Sequence, residues 1–176
     1  ELKGLNNGQE KWLLDFVALG TVCDIVPLSG ENRMLVSYGL KVLKVSKREG
    51  IKALIASSGI DLPNINTFDI GFKIGPRLNA TGRLKTARLA LDILLTKDLR
   101  SALDMAEELN NLNNERKLIQ EKILKQAEIE AEKQSDLKVL VVSQTGWNHG
   151  VIGIVASKLV EDFTKPTLLL EELSGG

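Results

Sequence analysis

From Lys97 to Gln134 the chain contains neither proline nor glycine. A run of this length without a helix breaker has few alternatives to one continuous helix. Leu99, Leu103, Ala106, Leu109, Leu112, Ile119, Ile123 and Ala127 recur in it mostly at steps of three and four, the apolar stripe of an α-helix. At 1.5 Å per residue the run predicts a rod of roughly 55–60 Å. Thr96 is expected to cap it, with Asp98 in the first turn, where the helix dipole favours negative charge. From Glu115 to Lys133 charges dominate and the stripe thins, as in a connector rather than a core helix. The asparagine-rich stretch Asn110 to Asn114 is expected to weaken the helix locally.

Before this rod the pattern is helical. Residues 11–26 are apolar at helical spacing and stop at Pro27. Glu31–Val45 and Glu49–Ala56 predict two further helices, the second ended by Gly59. Asp61 to Asn64 reads as loop, and Asn66 or Thr67 as the cap of a short helix through Phe72. Residues 74–84, IGPRLNATGRL, carry two glycines and a proline and predict an ordered loop. Leu84 to Leu95 returns to helix. Beyond the rod, Lys138–Ser143 is a β-branched run typical of a strand, Val151–Phe163 a helix, and Thr167–Leu170 a second strand. Strand, helix and strand within ~33 residues predict a parallel βαβ unit. The fold class is therefore mixed α/β: a helical part over 1–96, a long connector helix over 97–135, and the start of an α/β domain over 136–176.

The apolar fraction of 43% supports a packed core, and an aromatic fraction of 4% makes that core aliphatic. Lys and Arg balance Asp and Glu at 23 each, so no bulk charge draws the chain to nucleic acid or to anionic membranes. A local basic groove remains compatible with that balance. The single cysteine, Cys23, excludes an internal disulfide and a cysteine-based zinc site, and it fits a reducing, cytoplasmic setting. No apolar run reaches the ~20 residues that span a bilayer. The chain starts at Glu1 rather than Met and stops at Ser174-Gly175-Gly176 just after an apolar run, so an internal fragment is expected.

Three segments carry candidate chemistry. In GTVCDIVPL, Gly20 to Leu28, Asp24 lies among Val22, Cys23, Ile25 and Val26. A carboxylate in such company is a cap, half of an ion pair, or a metal ligand. In IGPRLNATGR, Arg77, Asn79 and Arg83 stand among glycines. Glycine lets backbone N–H groups approach an anion, and arginine offers a planar fork for phosphate. A surface turn with its arginines paired to acids is the competing reading, since no Lys-Ser/Thr follows as in a P-loop. In GWNHGVIGIVASKL, Gly150 and Gly153 open a helix after a strand, a common anion-site geometry. His149, the only histidine, serves either as a helix-end hydrogen-bonding group or as a metal contact.

In order and approximate spacing, GTVCDIVPL, IGPRLNATGRL and GWNHGVIGIVASKLVEDFTKPTLLL resemble consecutive blocks of the RecJ exonucleases in the DHH phosphoesterase superfamily, from about Trp12 to Leu170. The resemblance implies a metal-dependent 5′-to-3′ exonuclease acting on single-stranded DNA in repair and recombination, with Mn²⁺ or Mg²⁺ as cofactor. It implies that residues 1–96 are the helical C-terminal part of a DHH domain and 136–176 the βαβ start of a DHHA1 domain. Asp24 then matches the metal-binding aspartate of the family's fourth motif. Arg77, Asn79 and Arg83 match the block facing DNA phosphates, and Gly150 with its neighbour His149 matches the substrate-facing start of DHHA1. Two positions depart from the pattern: Cys23 stands where the family often has Ala, and Asn148 where His is commoner. The family's DADG-like and DHH motifs are expected before residue 1, and its Gly/Ser-rich motif after Gly176. With one metal-ligating aspartate the chain is expected to be inactive alone, to bind no metal by itself, and to self-associate through uncovered apolar helix faces. An oligoribonuclease or bisphosphate phosphatase of the same superfamily, and a non-catalytic helical interaction module, are the alternatives.

Overall fold

The breaker-free run folds as one helix over Leu99–Glu132, 34 residues or about 51 Å long. Its cap is Asp98 rather than Thr96. The Asp98 carboxylate accepts from the N–H of Ser101 at 2.7 Å, while Thr96 Oγ1 accepts from the Asp98 N–H at 3.3 Å. Asp98 reaches the third helical N–H, and Thr96 is two residues too early to do so. The computed structural model describes residues 8–172, which divide into two compact units. The helix contributes its residues through Asn111 to the first unit and those from Leu112 to the second.

In the first unit a 3₁₀ turn, Gln9–Leu13, leads into α1 (Leu14–Cys23). Helix α2 (Gly30–Lys44) buries Val36, Gly39 and Leu43 at three- and four-residue steps. Gly39 is where α2 meets α1: a Cβ there would lie 2.5 Å from the Ala18 Cβ and collide with the Leu14 carbonyl. Helix α3 (Glu49–Ser57) meets α5 (Arg88–Leu95) through a similar approach, with Gly50 against the Ile93 carbonyl. Leu43, Ile51, Leu54, Ile70, Ile74, Ile93 and Leu109 fill the core, as the low aromatic content requires.

The expected loop over 74–84 is helix. Asn66 is the cap, its Oδ1 accepting from the N–H groups of Phe68 and Asp69, while Asp69 Oδ2 accepts from the Asn66 N–H. This reciprocal pair is a capping box. The helix then widens into a π turn, Asp69–Ile74, and continues as α4 (Gly75–Leu84). Gly75 N–H donates to the Ile70 carbonyl, five residues back. Proline disrupts an ordinary α-turn by its missing N–H and its ring; the wide turn just before Pro76 is how this helix passes it. Gly75 does not serve a loop either. A Cβ there would be 3.1 Å from Cys23 Sγ, so the glycine lets the end of α1 pack against the helix.

In the second unit α6, the Leu99–Glu132 helix, buries Ile123, Ala127 and Ala131 at four-residue steps, so its charged half is also a core helix. A stripe of alanines is enough for this where a neighbour packs closely. Strand β1 (Leu140–Thr145), α7 (His149–Phe163) and β2 (Thr167–Glu172) form the expected parallel βαβ unit, with Leu140 opposite Thr167 and Val142 opposite Leu169. Leu140, Val142, Val151, Val155 and Leu159 close this core, and Trp147 joins it, donating from Nε1 to Gln126. On the outer edge of β1 the Gln134 carboxamide both donates to the Val141 carbonyl (2.8 Å) and accepts from its N–H (2.9 Å).

Candidate metal and phosphate contacts

Asp24 is the C-cap of α1. Its own N–H donates to the Gly20 carbonyl, Val26 N–H to Thr21, and Ile25 N–H to Val22. These bonds make a Schellman motif, whose left-handed position usually belongs to glycine. Here it is Ile25, with φ +56°. A β-branched residue in that region is strained. The reversal ends the helix three residues before Pro27 and leaves the Asp24 carboxylate exposed. Among the described residues that carboxylate has neither a hydrogen-bond donor nor an ion-pair partner, so the ion-pair reading of Asp24 fails, while its place as the residue that caps α1 holds. Behind it Cys23 is half-buried against Gly75. Burial, reinforced by the Asp24 charge, pushes its thiol up to about 11, which leaves it no role as a nucleophile near neutral pH.

Asp24 and Asn79 line one cleft of about 310 Å³, floored by Phe16, Leu19, Leu78 and Leu91. Two of the residues singled out from sequence are thus brought together, 55 positions apart, by the packing of α1 on the π turn and α4. Arg77, on the same helix, is more deeply engaged. Its Nε donates to Asn110 Oδ1 at 2.5 Å and its Nη1 to the Lys73 carbonyl at 2.6 Å, and burial lowers its pKa. Asn110 in turn donates to the Ser57 carbonyl. Asn110 thus ties Arg77 and the end of α3 to the long helix.

In the second unit Arg83, exposed, donates from Nη1 to the Gly150 carbonyl at 3.0 Å. Gly150 presses on the Arg83 carbonyl with no room for a Cβ. Its N–H is already taken by the Asn148 side chain, which caps α7 at 2.9 Å. Gly150 therefore serves close approach rather than an open anion cradle. His149 is 88% exposed, with Nδ1 3.7 Å from Glu171 Oε2.

Two features escaped the sequence. Asp15, 2% exposed, is paired with Arg48 at 2.8 Å, and the Arg48 guanidinium lies over the Phe16 ring. This pair lines a larger cleft of about 610 Å³ with Trp12 and Thr96, but its charges already satisfy each other. Arg116 is the second: its Nε is buried without an acceptor among the described residues. The available signal was its flanking amides, Asn113 and Gln120, where acids are usual. Among the described residues no three His, Cys, Asp or Glu side chains come together as a metal-binding group. No helix among them is long and apolar enough to cross a membrane.

No family model matches the chain. It is 43% identical over 159 residues to the single-stranded-DNA-specific exonuclease RecJ of Bacillus subtilis, covering 90% of this chain and 20% of the relative. To the Escherichia coli protein of the same name it is 36% identical over 170 residues, covering 93% of this chain and 30% of the relative. The crystal structure of Thermus thermophilus RecJ in complex with Mg²⁺ superposes with a TM-score of 0.85 at 34% identity, over 92% of this chain and 25% of that one. A structure of exonuclease RecJ bound to manganese gives 0.83 at 33% identity, over 96% of this chain and 42% of that one. The chain spans roughly a fifth to a third of the length of the curated relatives it matches.

Proposed function

We propose that this chain, which corresponds to an internal stretch of RecJ-type proteins, supplies one metal ligand and part of the strand-binding surface of a metal-dependent single-stranded-DNA exonuclease. The observation that carries the reading is Asp24, an exposed carboxylate without a partner, held by a strained helix end at the rim of the cleft it shares with Asn79. A hard divalent cation prefers carboxylate oxygen, so Asp24 fits Mn²⁺ or Mg²⁺ as one ligand of several. When bound, such an ion activates water and neutralises charge on the phosphoryl oxygens. Asn79 offers its amide to a phosphate or sugar beside that carboxylate. Arg77 buttresses the helix carrying Asn79, and Arg83, braced on the Gly150 carbonyl, is a separate phosphate-facing residue.

Within this reading residues 1–96 form the helical part of a DHH domain and 136–176 the start of DHHA1. The long helix joins them, and the cytoplasm is the setting. Asp24 alone cannot assemble a metal centre, so the chain by itself does not digest DNA. Trp12, Ile25, Met34, Tyr38 and Val45 are more than half exposed, and they give the isolated chain an apolar surface through which to self-associate. The test uses 5′-labelled single-stranded DNA with Mn²⁺. The 176-residue chain shows no digestion, and the longer protein carrying Asp24→Asn loses activity by at least about a hundredfold, since metal stabilisation is worth several kcal/mol. Digestion by the longer protein that is indifferent to Asp24→Asn refutes the assignment.

A further inference from the structure

The cleft of about 610 Å³ that Asp15 and Arg48 line lies wholly within the first unit and takes no part in the reading above. Its volume falls in the range of small-molecule sites, roughly 300–1,000 Å³. One wall is apolar, made by Val42 and Val45 at the end of α2 and by Leu94 and Leu95 at the end of α5. Val45 and Leu95 are each more than half exposed. Trp12 adds an indole that is 57% exposed, in a chain whose only other tryptophan, Trp147, is 3% exposed and bonded to Gln126. An aromatic ring left open beside an apolar wall is a surface that a flat ligand can cover.

Three cations line the same cleft: Lys47, Arg48 and Lys97. Its two acids are already paired, Asp15 with Arg48 Nε at 2.8 Å and Glu49 with Lys52 at 3.0 Å. Lys47 and Lys97 are exposed, and neither has an acid partner among the described residues. The Asp15–Arg48 pair is neutral as a whole, yet it uses only one guanidinium nitrogen. Both Arg48 Nη groups lack an acceptor among the described residues, and neither is closed to solvent. Two uncompensated ammonium groups and an open guanidinium fork therefore stand beside the apolar wall and the indole. Such a lining suits a ligand with an anionic end and a flat apolar body.

We propose that this cleft binds a nucleoside monophosphate, its base against Trp12 and the apolar wall and its phosphate held by Lys47, Lys97 and the Arg48 Nη groups. A phosphate monoester carries about −1.5 to −2 charge at neutral pH, which matches two unpaired lysines better than the single charge of a phosphodiester in a continuing strand. Any base offers a π-face to the indole, so the site is indifferent to which base it holds. The inference goes beyond the exonuclease reading and does not rest on it. Asp24 and Asn79 line the other cleft, and the two clefts share only Leu94 and Leu95.

Tryptophan fluorescence of the 176-residue chain, dilute and in EDTA so that no metal takes part, tests it directly. Titration with adenosine 5′-monophosphate quenches the exposed Trp12 saturably and leaves the emission of the buried Trp147 unchanged. Adenosine and inorganic phosphate each bind at least about tenfold more weakly, since each keeps only part of the contacts. By equilibrium dialysis, Lys47→Gln combined with Lys97→Gln weakens the monophosphate about tenfold and leaves adenosine unchanged, whereas Trp12→Ala weakens both about tenfold through lost stacking. If the lysines only complement the carbonyl ends of α2 and α5, the double variant lowers the melting temperature and leaves the affinity alone, which overturns the proposal. Inorganic phosphate binding as tightly as the monophosphate overturns the nucleotide assignment, and so does tighter binding of an oligothymidylate without a terminal phosphate. Absence of saturable quenching overturns the site altogether and leaves the Asp24 reading standing, because that is judged by metal-dependent digestion.

Discussion

Replacing Ile25 with glycine stabilises this protein, although it deletes a large apolar side chain. Ile25 occupies the left-handed position of the Schellman motif that ends α1, at φ +56°. An L-residue there costs about 1–2 kcal/mol, and β-branching places Ile toward the upper value. Glycine removes that cost and adds about 0.5–1 kcal/mol through the freedom its unfolded chain gains. Ile25 is 88% exposed, so truncation forfeits little burial. The net gain is about 0.5–1 kcal/mol, which raises the urea midpoint by roughly 0.3–0.5 M at a slope near 2 kcal/mol/M. Ile25→Ala separates geometry from side-chain loss, since alanine deletes nearly as much surface but still meets the left-handed penalty. Its midpoint stays near or below that of the parent, and Ile25→Asn falls between. Urea unfolding followed by far-UV circular dichroism measures all three. If glycine lowers the midpoint as far as alanine does, the side chain matters and the strain argument for the Asp24 helix end is wrong.

Three further substitutions have outcomes fixed by the packing. Gly39→Ala should destabilise by about 2 kcal/mol: the helix-propensity gain of about 1 kcal/mol is outweighed by an overpacking cost toward the top of its usual 1–3 kcal/mol. The obstruction is the backbone of α1, which cannot swing aside; Gly20→Ala, whose Cβ meets nothing within 4 Å, is the stabilising control in the same denaturation assay. Arg48→Met strands the Asp15 carboxylate and costs about 3 kcal/mol, and adding Asp15→Leu recovers most of that loss in a double-mutant cycle. Asp69 is held below the usual carboxylate range chiefly by its hydrogen bond with Lys73, so its contribution is present above about pH 4 and lost as pH falls through the lowered folded value. Asp69→Asn is therefore less stable than the parent at neutral pH, and the gap narrows as pH falls; a gap that widens in acid contradicts this linkage.

The helical half, the long rod and the parallel βαβ unit were legible because their signals are periodic and long. Asp24 was legible as an anomaly, a charge among apolar neighbours. What misled was local composition. Two glycines and a proline over 74–84 read as loop, yet Gly75 is there to admit Cys23 and Pro76 is passed by a π turn. Both causes lie in tertiary packing, which one sequence does not display. That Glu115 to Lys133 also packs in a core was not legible, because alanine contributes little to an apolar stripe, yet Ala127 and Ala131 are fully buried. Arg116 was easy to pass over for a related reason. An arginine among charged residues looks solvated until the fold shows which of its nitrogens lack an acceptor.

The Gln134 carboxamide gives the small sheet a polarity of growth. Its two hydrogen bonds to Val141 occupy the place a neighbouring strand's peptide group would take on β1. A strand arriving on that side must first displace a side chain already making both bonds. Among the described residues no side chain bonds to the backbone of β2's outer edge. Two strands are few for a stable sheet, and an open edge is a template for another. A strand that paired with this sheet would therefore meet less obstruction at β2, since the β1 edge is held by one glutamine just beyond the long helix.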